Sequence, residues 1–554
     1  MNRERILHLC LLLIICGIVF GFRAGSQNFW GRHGEARRAE VSREMVVSGN
    51  WAVPHLNGEP FITKPPLYYW SAAMMFTLTG EFDELSARLP SIISGTLGVL
   101  VTYLWAGTIF SPRIGLLAGF ILGTSFLYVG MARSAEVDMM LTLFTTSTLY
   151  FFTLGHCYGK TGQQKSSRSL FFFLLSTVCL ALGTLTKYPI GVAVPLLAIV
   201  AFVIATRDSR VWRIAKPWWL LLAFLLLILP WFVMMYVQIP NFFDILYQET
   251  FGRYTNPGGT PHKESIYFYV PTLGAFAPWI LFFPGIILSL WSHYRQAKLS
   301  RYHLFIVIAF VMTFLLFSSV GSKREYYLLP LYPFLAILTA KYWDEYLAAR
   351  AHSTERWLWK SMAFPLVGFS GLLGMIGIGL PIASGFYLPQ YLGISVMFGV
   401  MFLAGGILLF TAFSQGKVLR SFSICAGTTI LSYIFALLTI VPEMNHYRSR
   451  KSFFRETAAL VGEHLVVDYK YEGYDVQFYM QRIVPVVKEV HELETLALSK
   501  KPLFIIMTFD QYERFRQEHP ELVVQWDIVQ DQEWTSAINP KRTRRFVLIR
   551  HVGS

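Results

Sequence analysis

Long apolar runs, separated by short polar connections, fill the chain from its beginning to about residue 440. About thirteen of these runs reach the ~20 residues that a helix needs to cross a bilayer. The first, from Ile6 to Phe22, follows a charged start and precedes no small-residue cleavage pattern, which favours an uncleaved helix over a signal peptide. The pattern predicts a polytopic α-helical membrane protein.

Two regions depart from this pattern. An unusually long first loop, residues 23–85, contains helical spacing from Glu35 to Val47 beside aromatic residues, which predicts a helix in the membrane interface. A second helix is expected from Pro65-Pro66, because proline is favoured in a first helical turn. Beyond residue 440 the apolar runs shorten to strand length, as in Leu465–Val467, Ile483–Val487, Leu503–Met507 and Phe546–Ile549. The expected domains are therefore a membrane domain, residues 1–440, and a small outer α/β domain, residues 441–554.

Composition and charge support the same class. The 554 residues are 54% hydrophobic and 15% charged, with a formal net charge of +14. Lys and Arg recur in alternate connections between the apolar runs, which places the N-terminus in the cytoplasm by the positive-inside rule. With an odd number of spans, the C-terminal domain lies outside. The basic excess therefore indicates orientation in the membrane, not binding of nucleic acid.

A second group of basic residues falls in the outward connections. Its members are Lys64, Arg133, Lys187, Arg253, Lys263, Lys323 and Arg324. Several of them precede helices whose N-termini face outward, where free amides and the helix dipole attract anions. This pattern predicts a site for a lipid phosphate at the outer face. The alternative for each cation alone is an anchor at the lipid headgroups.

Carboxylates accompany these cations. Glu35 opens the predicted loop helix, while Glu136 and Asp138 lie at the outer start of a span. Near an anion site, a carboxylate can accept a proton from an attacking hydroxyl or orient a sugar. The alternatives are a helix N-cap for Asp138 and a favourable first-turn acid for Glu35.

The first loop also carries motifs that resemble a known family. Gly34 to Glu40, Ser42 to Met45, Gly49-Asn-Trp51, Pro54 to Gly58 and Lys64-Pro-Pro-Leu67 are similar to the first outer loop of ArnT-like glycosyltransferases. These are aminoarabinose transferases and relatives in the protein O-mannosyltransferase superfamily, with the GT-C fold. Leu329-Pro-Leu-Tyr-Pro333 resembles a later motif of the family. The resemblance covers the membrane portion and is specific to the superfamily, not to one sugar.

The resemblance implies transfer of a sugar from a polyprenyl phosphate to an acceptor, lipid or protein, at the outer face of the bacterial inner membrane. It implies that Lys64, Arg253 and Tyr327 hold the lipid phosphate, with Lys187 and Lys323 as helpers. It assigns Asp138 to the second acidic position of the family. Where the family motif begins Asp-Glu, this chain has Gly34-Glu35, so Glu35 is the acid that remains. Thr63 stands where aminoarabinose transferases often carry Glu.

We interpret the chain as an enzyme that catalyses a direct, inverting displacement at the anomeric carbon. A lipid transporter or flippase is the alternative, although polar residues do not recur at mid-span as a central substrate path requires. A structural assembly protein is a third reading, which leaves the Lys64 and Asp138 clusters without a role. A divalent metal stays open, because His33, His55 and His262 lie in outer segments near acids, but their spacing matches no ligand motif.

Overall fold

The apolar runs form helices, since a helix satisfies its own backbone hydrogen bonds where water is absent. The computed structural model describes residues 3–30, 34–159, 166–208, 215–252, 264–352, 356–499, 502–524, 526–535 and 543–551. Within these residues, nine helices are long and apolar enough to cross a bilayer. They are Arg3–Ser26, Glu84–Ile109, Val137–Gly159, Ser167–Thr186, Pro217–Gln238, Arg301–Ser319, Ser361–Tyr387, Pro389–Ser414 and Val418–Arg448.

Two further pairs of consecutive apolar helices are sharply bent where they join. Pro112–Thr124 and Phe126–Ala132 meet at 69°, and Tyr269–Phe276 and Trp279–Arg295 meet at 111°. The second break falls before Pro278, which lacks an N–H and keeps the preceding residue extended. If each pair is one span, the described residues hold up to eleven spans. The protein is a multi-pass membrane protein, but the expected count of about thirteen is not confirmed.

Other helices complete the structure. They are Gly34–Ser48, Leu67–Thr79, Ile190–Thr206, Phe242–Tyr247, Tyr332–His352, Lys451–Val461, Tyr474–Met480, Val490–Ser499, Phe509–Glu518 and Pro520–Val523. The helix expected from Pro65-Pro66 begins at Leu67, directly after the two prolines. The first-loop helix spans Gly34–Ser48, and most of its central residues, both charged and apolar, are buried.

The contacts divide the chain into two compact units. The first comprises Met1–Phe22, Ile62–Tyr68 and Arg88–Phe435, and the second Arg23–Phe61, Tyr69–Ala87 and Ala436–Ser554. The first loop therefore shares its unit mainly with the tail. In the first unit, Val137–Gly159 is the most buried of the nine spans, with 78% of its apolar window buried.

Within its described residues, the second unit contains two sheets. A hairpin joins β1, His55–Leu56, to β2, Glu59–Pro60, through Asn57 and Gly58, which both have positive φ. The described part of the tail has five strands: β3, Leu465–Tyr469; β4, Val486–Val487; β5, Leu503–Thr508; β6, Trp526–Thr535; and β7, Thr543–His551. Their order is β4-β3-β5-β7-β6, with β3 parallel to β4 and β5 and the remaining pairs antiparallel. The predicted small α/β domain is confirmed.

Candidate active site

A buried ion pair lies at the start of the helix Val137–Gly159. Lys187 Nζ donates to Asp138 Oδ1 at 2.6 Å, and both residues are less than 10% exposed. Lys187 Nζ also lies 4.1 Å from the centre of the Tyr327 ring. A cation over an aromatic face is attracted by the ring quadrupole. Three of the predicted site residues, Asp138, Lys187 and Tyr327, are therefore in direct contact.

A tight turn presents Lys187 to this pair. Residues 187–189 connect the helix that ends at Thr186 to the helix that begins at Ile190. The Lys187 amide donates to Gly183 O, and the Lys187 carbonyl accepts from the Gly191 amide. A Cβ at Gly191 would lie 2.2 Å from Gly183 O, closer than any side chain allows. Glycine at 191 thus permits the two helix ends to approach and fixes the position of Lys187.

Two tyrosines and two cations follow the helix Arg301–Ser319. The rings of Tyr326 and Tyr327 are 5.3 Å apart and nearly perpendicular, and Arg324 Nη1 donates to Tyr326 Oη at 2.9 Å. Burial raises the pKa of the Tyr326 hydroxyl above its ordinary value, and the carboxylates of Glu136 and Asp138 raise it further. Tyr326 therefore stays a neutral hydrogen-bonding group beside this acid pair.

Lys323 has a different environment. Its side chain is buried, and Nζ donates to the backbone carbonyls of Val320 at 2.5 Å and Glu264 at 3.2 Å. Burial lowers the pKa of Lys323 from its ordinary value, while the nearby Glu264 carboxylate opposes the change. These bonds hold the loop after Ser319 in place.

Lys64 is fixed from its own segment. Its Nζ donates to Thr63 O at 2.8 Å and lies 3.9 Å from Glu249 Oε2. The helix that follows is linked to the Asp138 segment by shared hydroxyls. Tyr68 Oη lies 3.2 Å from Ser91 Oγ, which donates to Glu136 O and accepts from the Glu136 amide. This chain fixes the start of the Leu67–Thr79 helix against the residues that precede Asp138.

Of the remaining predicted residues, Arg253 lies outside the described residues, as do Lys263, His33 and His262. Glu35 is half-buried in the first turn of Gly34–Ser48 and belongs to the second unit. Glu249 and Ser91 were not identified from the sequence. Glu249 is a lone carboxylate in a short connection and Ser91 is a serine within an apolar span. Neither pattern indicates a functional residue until its contacts are known.

Arg133 proves to be structural. Its Nη1 donates to the carbonyls of Val19, Phe20 and Phe22, each at 3.0 Å. The last carbonyls of a helix lack intrahelical partners, and a cation there also suits the helix dipole. Arg133 therefore caps the end of the first helix, although the charge pattern grouped it with the outer cations.

Several residues of the first-loop motifs build the second unit. Arg43 donates to both carboxylate oxygens of the buried Glu40, at 2.8 and 2.7 Å, and to Gln481 O at 3.1 Å. The Glu44 carboxylate accepts from the Asn57 and Gly58 amides in the β1–β2 turn. The motif that indicates the family is thus in large part a structural framework.

No group of three or more His, Cys, Asp or Glu side chains is placed to hold a metal ion in the part of the chain that the structure describes. His55 is the described member of the three candidate histidines, and its Nδ1 lies 2.9 Å from Val53 O.

Comparisons with known proteins bear on this arrangement. Residues 33–246 match the family model for dolichyl-phosphate-mannose-protein mannosyltransferase. An undecaprenyl phosphate-alpha-4-amino-4-deoxy-L-arabinose arabinosyl transferase of Pectobacterium atrosepticum is 28% identical over 391 residues, which cover 69% of this chain and 67% of that protein. The protein of the same name from Erwinia tasmaniensis is 31% identical over 308 residues, 55% of this chain and 54% of that one.

Solved structures share the fold. ArnT from Cupriavidus metallidurans, determined with bound undecaprenyl phosphate, superposes with a TM-score of 0.79 and 22% identity, covering 99% of this chain and 98% of that one. The archaeal oligosaccharyltransferase AglB from Archaeoglobus fulgidus gives a TM-score of 0.52 with 11% identity, covering 91% of this chain and 69% of that one. The predicted GT-C fold is confirmed.

Proposed function

We propose that this chain, whose likeness to ArnT-like glycosyltransferases is confirmed by sequence and by fold, transfers a sugar from a polyprenyl phosphate such as undecaprenyl phosphate. The acceptor is lipid A or another molecule of the cell envelope. The observation that carries the proposal is the buried contact of Asp138, Lys187 and Tyr327, in the same unit as Lys64.

In the proposed reaction, an acceptor oxygen attacks the anomeric carbon as the bond from that carbon to the phosphate oxygen breaks. Attack from the opposite side inverts the configuration. The electron pair of the broken bond goes to the lipid phosphate, which gains negative charge in the transition state. Preorganised cations stabilise such charge without reorganising during the reaction. Lys64 and Lys187 supply this charge, with Arg253, Lys323 and Tyr327 as further phosphate-binding residues.

The acids have two proposed roles. The bond from Lys187 to Asp138 supports Asp138 as the residue that orients this ammonium toward the phosphate. An acceptor phosphate is already ionised and needs no base, whereas a hydroxyl acceptor must lose its proton. For a hydroxyl acceptor, Asp138 and Glu35 are the candidate bases.

The location follows from the same proposal. The protein resides in the bacterial inner membrane with its N-terminus in the cytoplasm. Residues 441–554 form a periplasmic domain, and residues 1–440 form the transferase domain with its long first loop. The reaction occurs at the periplasmic face, where the outward cations lie in the predicted topology.

Native mass spectrometry of the purified protein with its co-purifying lipids tests this function. A polyprenyl-phosphate species is expected on the wild type and is expected to be lost in Lys64→Ala. Lys417→Ala is the matched control, since it removes the same charge from an exposed residue. The mass of an attached sugar would identify the donor. Absence of polyprenyl lipid from every sample, under conditions that retain other lipids, would contradict the proposal.

A further inference from the structure

The side chain of Tyr269 is buried near the candidate site, and its hydroxyl has no acceptor there. Tyr269 begins the short helix Tyr269–Thr272 and is fully buried. Among the residues that the structure describes, none forms a hydrogen bond with Tyr269 Oη. The side chains that interact electrostatically with this hydroxyl are Tyr327, Asp138 and Tyr326. Tyr269 therefore belongs to the surroundings of the contact between Asp138, Lys187 and Tyr327.

The hydroxyl proton of Tyr269 is available to a ligand. The backbone amide of Arg324 approaches the phenolic oxygen, but outside hydrogen-bonding geometry. An amide N–H can only donate, so its approach leaves the hydroxyl proton without an acceptor. A buried polar group without a partner costs free energy, and one in a folded protein requires an explanation. An acceptor that arrives with a bound ligand is such an explanation.

The segment before Tyr269 is bound to the loop after Ser319. The Glu264 amide donates to Gly321 O at 3.3 Å, and Lys323 Nζ donates to Glu264 O at 3.2 Å. These bonds restrain the segment from which Tyr269 projects before any ligand is bound. A donor that is already ordered loses little conformational freedom on binding, which increases affinity.

We propose that Tyr269 Oη donates a hydrogen bond to the phosphate of the bound polyprenyl lipid. The inference rests on the proposed function, which takes Lys187 and Tyr327 as phosphate-binding residues. The strongest of the three side-chain interactions of the Tyr269 hydroxyl is with Tyr327. A charged phosphate oxygen is also a stronger acceptor than a sugar hydroxyl. Both observations favour the phosphate over the sugar as the partner of Tyr269.

The hydroxyl and the lysines contribute differently to the proposed site. A lysine ammonium acts as a compact point charge with three rotatable donors. A hydrogen bond from a tyrosine hydroxyl requires alignment of the donor with the acceptor. Tyr269 therefore fixes the orientation of the phosphate that the cations attract, and it does so without adding charge.

The test is the dissociation constant of undecaprenyl phosphate, with undecaprenol as the uncharged comparison. Wild type is compared with Tyr269→Phe, which removes only the hydroxyl. Tyr332→Phe is the matched control. Tyr332 is also fully buried, and its Oη has no hydrogen-bond partner among the described residues, but its electrostatic neighbours are Glu325 and Tyr433. Thermal unfolding without ligand is measured for each protein.

We expect Tyr269→Phe to bind undecaprenyl phosphate about tenfold more weakly, the effect of losing one hydrogen bond to a charged acceptor. Its affinity for undecaprenol should not change. Without ligand it should be at least as stable as wild type, because the removed hydroxyl has no partner in the protein. Tyr332→Phe should bind undecaprenyl phosphate within about twofold of wild type.

Unchanged affinity of Tyr269→Phe for undecaprenyl phosphate would overturn the inference. If only the Michaelis constant for the sugar-bearing donor rose, Tyr269 would contact the sugar instead. A loss of affinity that Tyr332→Phe shares, or that accompanies a loss of thermal stability, would assign Tyr269 to the fold and also overturn the inference. These results leave the proposed function intact.

A different result would contradict the proposed function itself. If wild type bound undecaprenol as tightly as undecaprenyl phosphate, the protein would have no site for the lipid phosphate. The role of Tyr269 would then be refuted together with the proposed function.

Discussion

For single residues, the contact between Asp138 and Lys187 determines what each side chain can contribute. The carboxylate holds the ammonium at 2.6 Å, and the Tyr327 ring covers the same ammonium at 4.1 Å. A lysine held from two sides has little conformational freedom left to lose when a phosphate binds. The pair is therefore best understood as one preorganised cation, in which Asp138 acts through Lys187.

This interpretation predicts strong non-additivity. Lys187→Met should lower turnover about 10²–10³-fold, the usual effect of removing one group that stabilises transition-state charge. Asp138→Asn should lower it by a similar factor, but adding Asp138→Asn to Lys187→Met should lower it little further. Turnover of a synthetic polyprenyl-phosphate sugar measures all three.

The control for this double-mutant comparison is Asp344→Asn, which removes a carboxylate from a different ion pair, that of Asp344 with Arg113. It should leave turnover near wild type. Multiplication of the two separate losses in the double variant would show that Asp138 has a role independent of Lys187, such as that of a general base.

Charge pattern alone groups the outward cations together but does not show what each of them contacts. Lys187 and Arg133 are both outward cations in the sequence. In the structure, one pairs with an acid and the other caps a helix through three carbonyls. The difference depends on which chain segments meet, and apolar periodicity contains no information on that.

Among the structural elements, the turn between the helices ending at Thr186 and beginning at Ile190 leaves no room for a side chain at Gly191. Gly191→Ala would place a Cβ 2.2 Å from Gly183 O, so the turn must shift. A displacement of ~1 Å at a reacting group costs on the order of 10²-fold in rate. We therefore expect turnover to fall about 10- to 100-fold in Gly191→Ala. Gly379→Ala, where a Cβ meets nothing within 4 Å, should retain activity. Equal activity of both variants would contradict this account of the turn.

The first-loop helix makes a pH-dependent contribution to stability. Glu40 is fully buried, and burial raises its pKa from 4.5 to about 7 although Arg43 donates to both oxygens. The folded protein therefore binds this proton more tightly than the unfolded chain. The resulting stabilisation is fully present below pH 4.5 and is lost as the pH rises through about 7.

Glu40→Gln should remove this dependence, on the order of 3 kcal/mol between the two pH limits. The measurement is the difference in thermal stability between wild type and Glu40→Gln as a function of pH. Taking the difference removes the contribution of buried Asp475, whose pKa is also raised by burial and which acts in the same direction in both proteins. Glu463→Gln, at an exposed site, should follow wild type. Parallel curves for wild type and Glu40→Gln would contradict the prediction.

The tail shows which elements sequence patterns can reveal. Strands β3, β4, β5 and β7 lie in the predicted strand-length runs, because their apolar residues line the core of the sheet. Strand β6 was missed because it is an edge strand with mostly exposed or half-buried residues, and its charges pair with β7 through Asp531–Arg545 and Asp527–Arg550. Charged residues on an edge strand protect a sheet from pairing with other chains. The same residues interrupt the apolar pattern by which a strand is predicted from sequence.

For the whole molecule, hydropathy predicted the architecture but not the number of spans or the division into units. A window average cannot distinguish a straight helix from a pair that bends by 69° or 111°. Nor can it show that residues 23–61 and the tail fold into one unit, because their contacts join positions some four hundred residues apart. Such long-range pairing depends on complementary side chains, for example Asn57 with the backbone of Val484.

Orientation in the membrane is the prediction that tests the whole arrangement. The helix Val418–Arg448, which carries Arg420 in its first turn, separates the connection at Lys417, predicted to be cytoplasmic, from the tail, predicted to be periplasmic. Arg450 and Lys451 follow this helix, but they pair with Asp475 and Glu84 and so are part of the folded second unit. Reporters fused after Gly416 and after His551 should therefore give opposite results. Alkaline phosphatase should be active only when it is fused after His551. A fluorescent protein that folds only in the cytoplasm should be bright only when it is fused after Gly416. Among the described residues, Val418–Arg448 is the one candidate membrane span between the two fusion points. The same result at both would therefore mean that this helix does not span the membrane, and a reversed pair would place the tail in the cytoplasm.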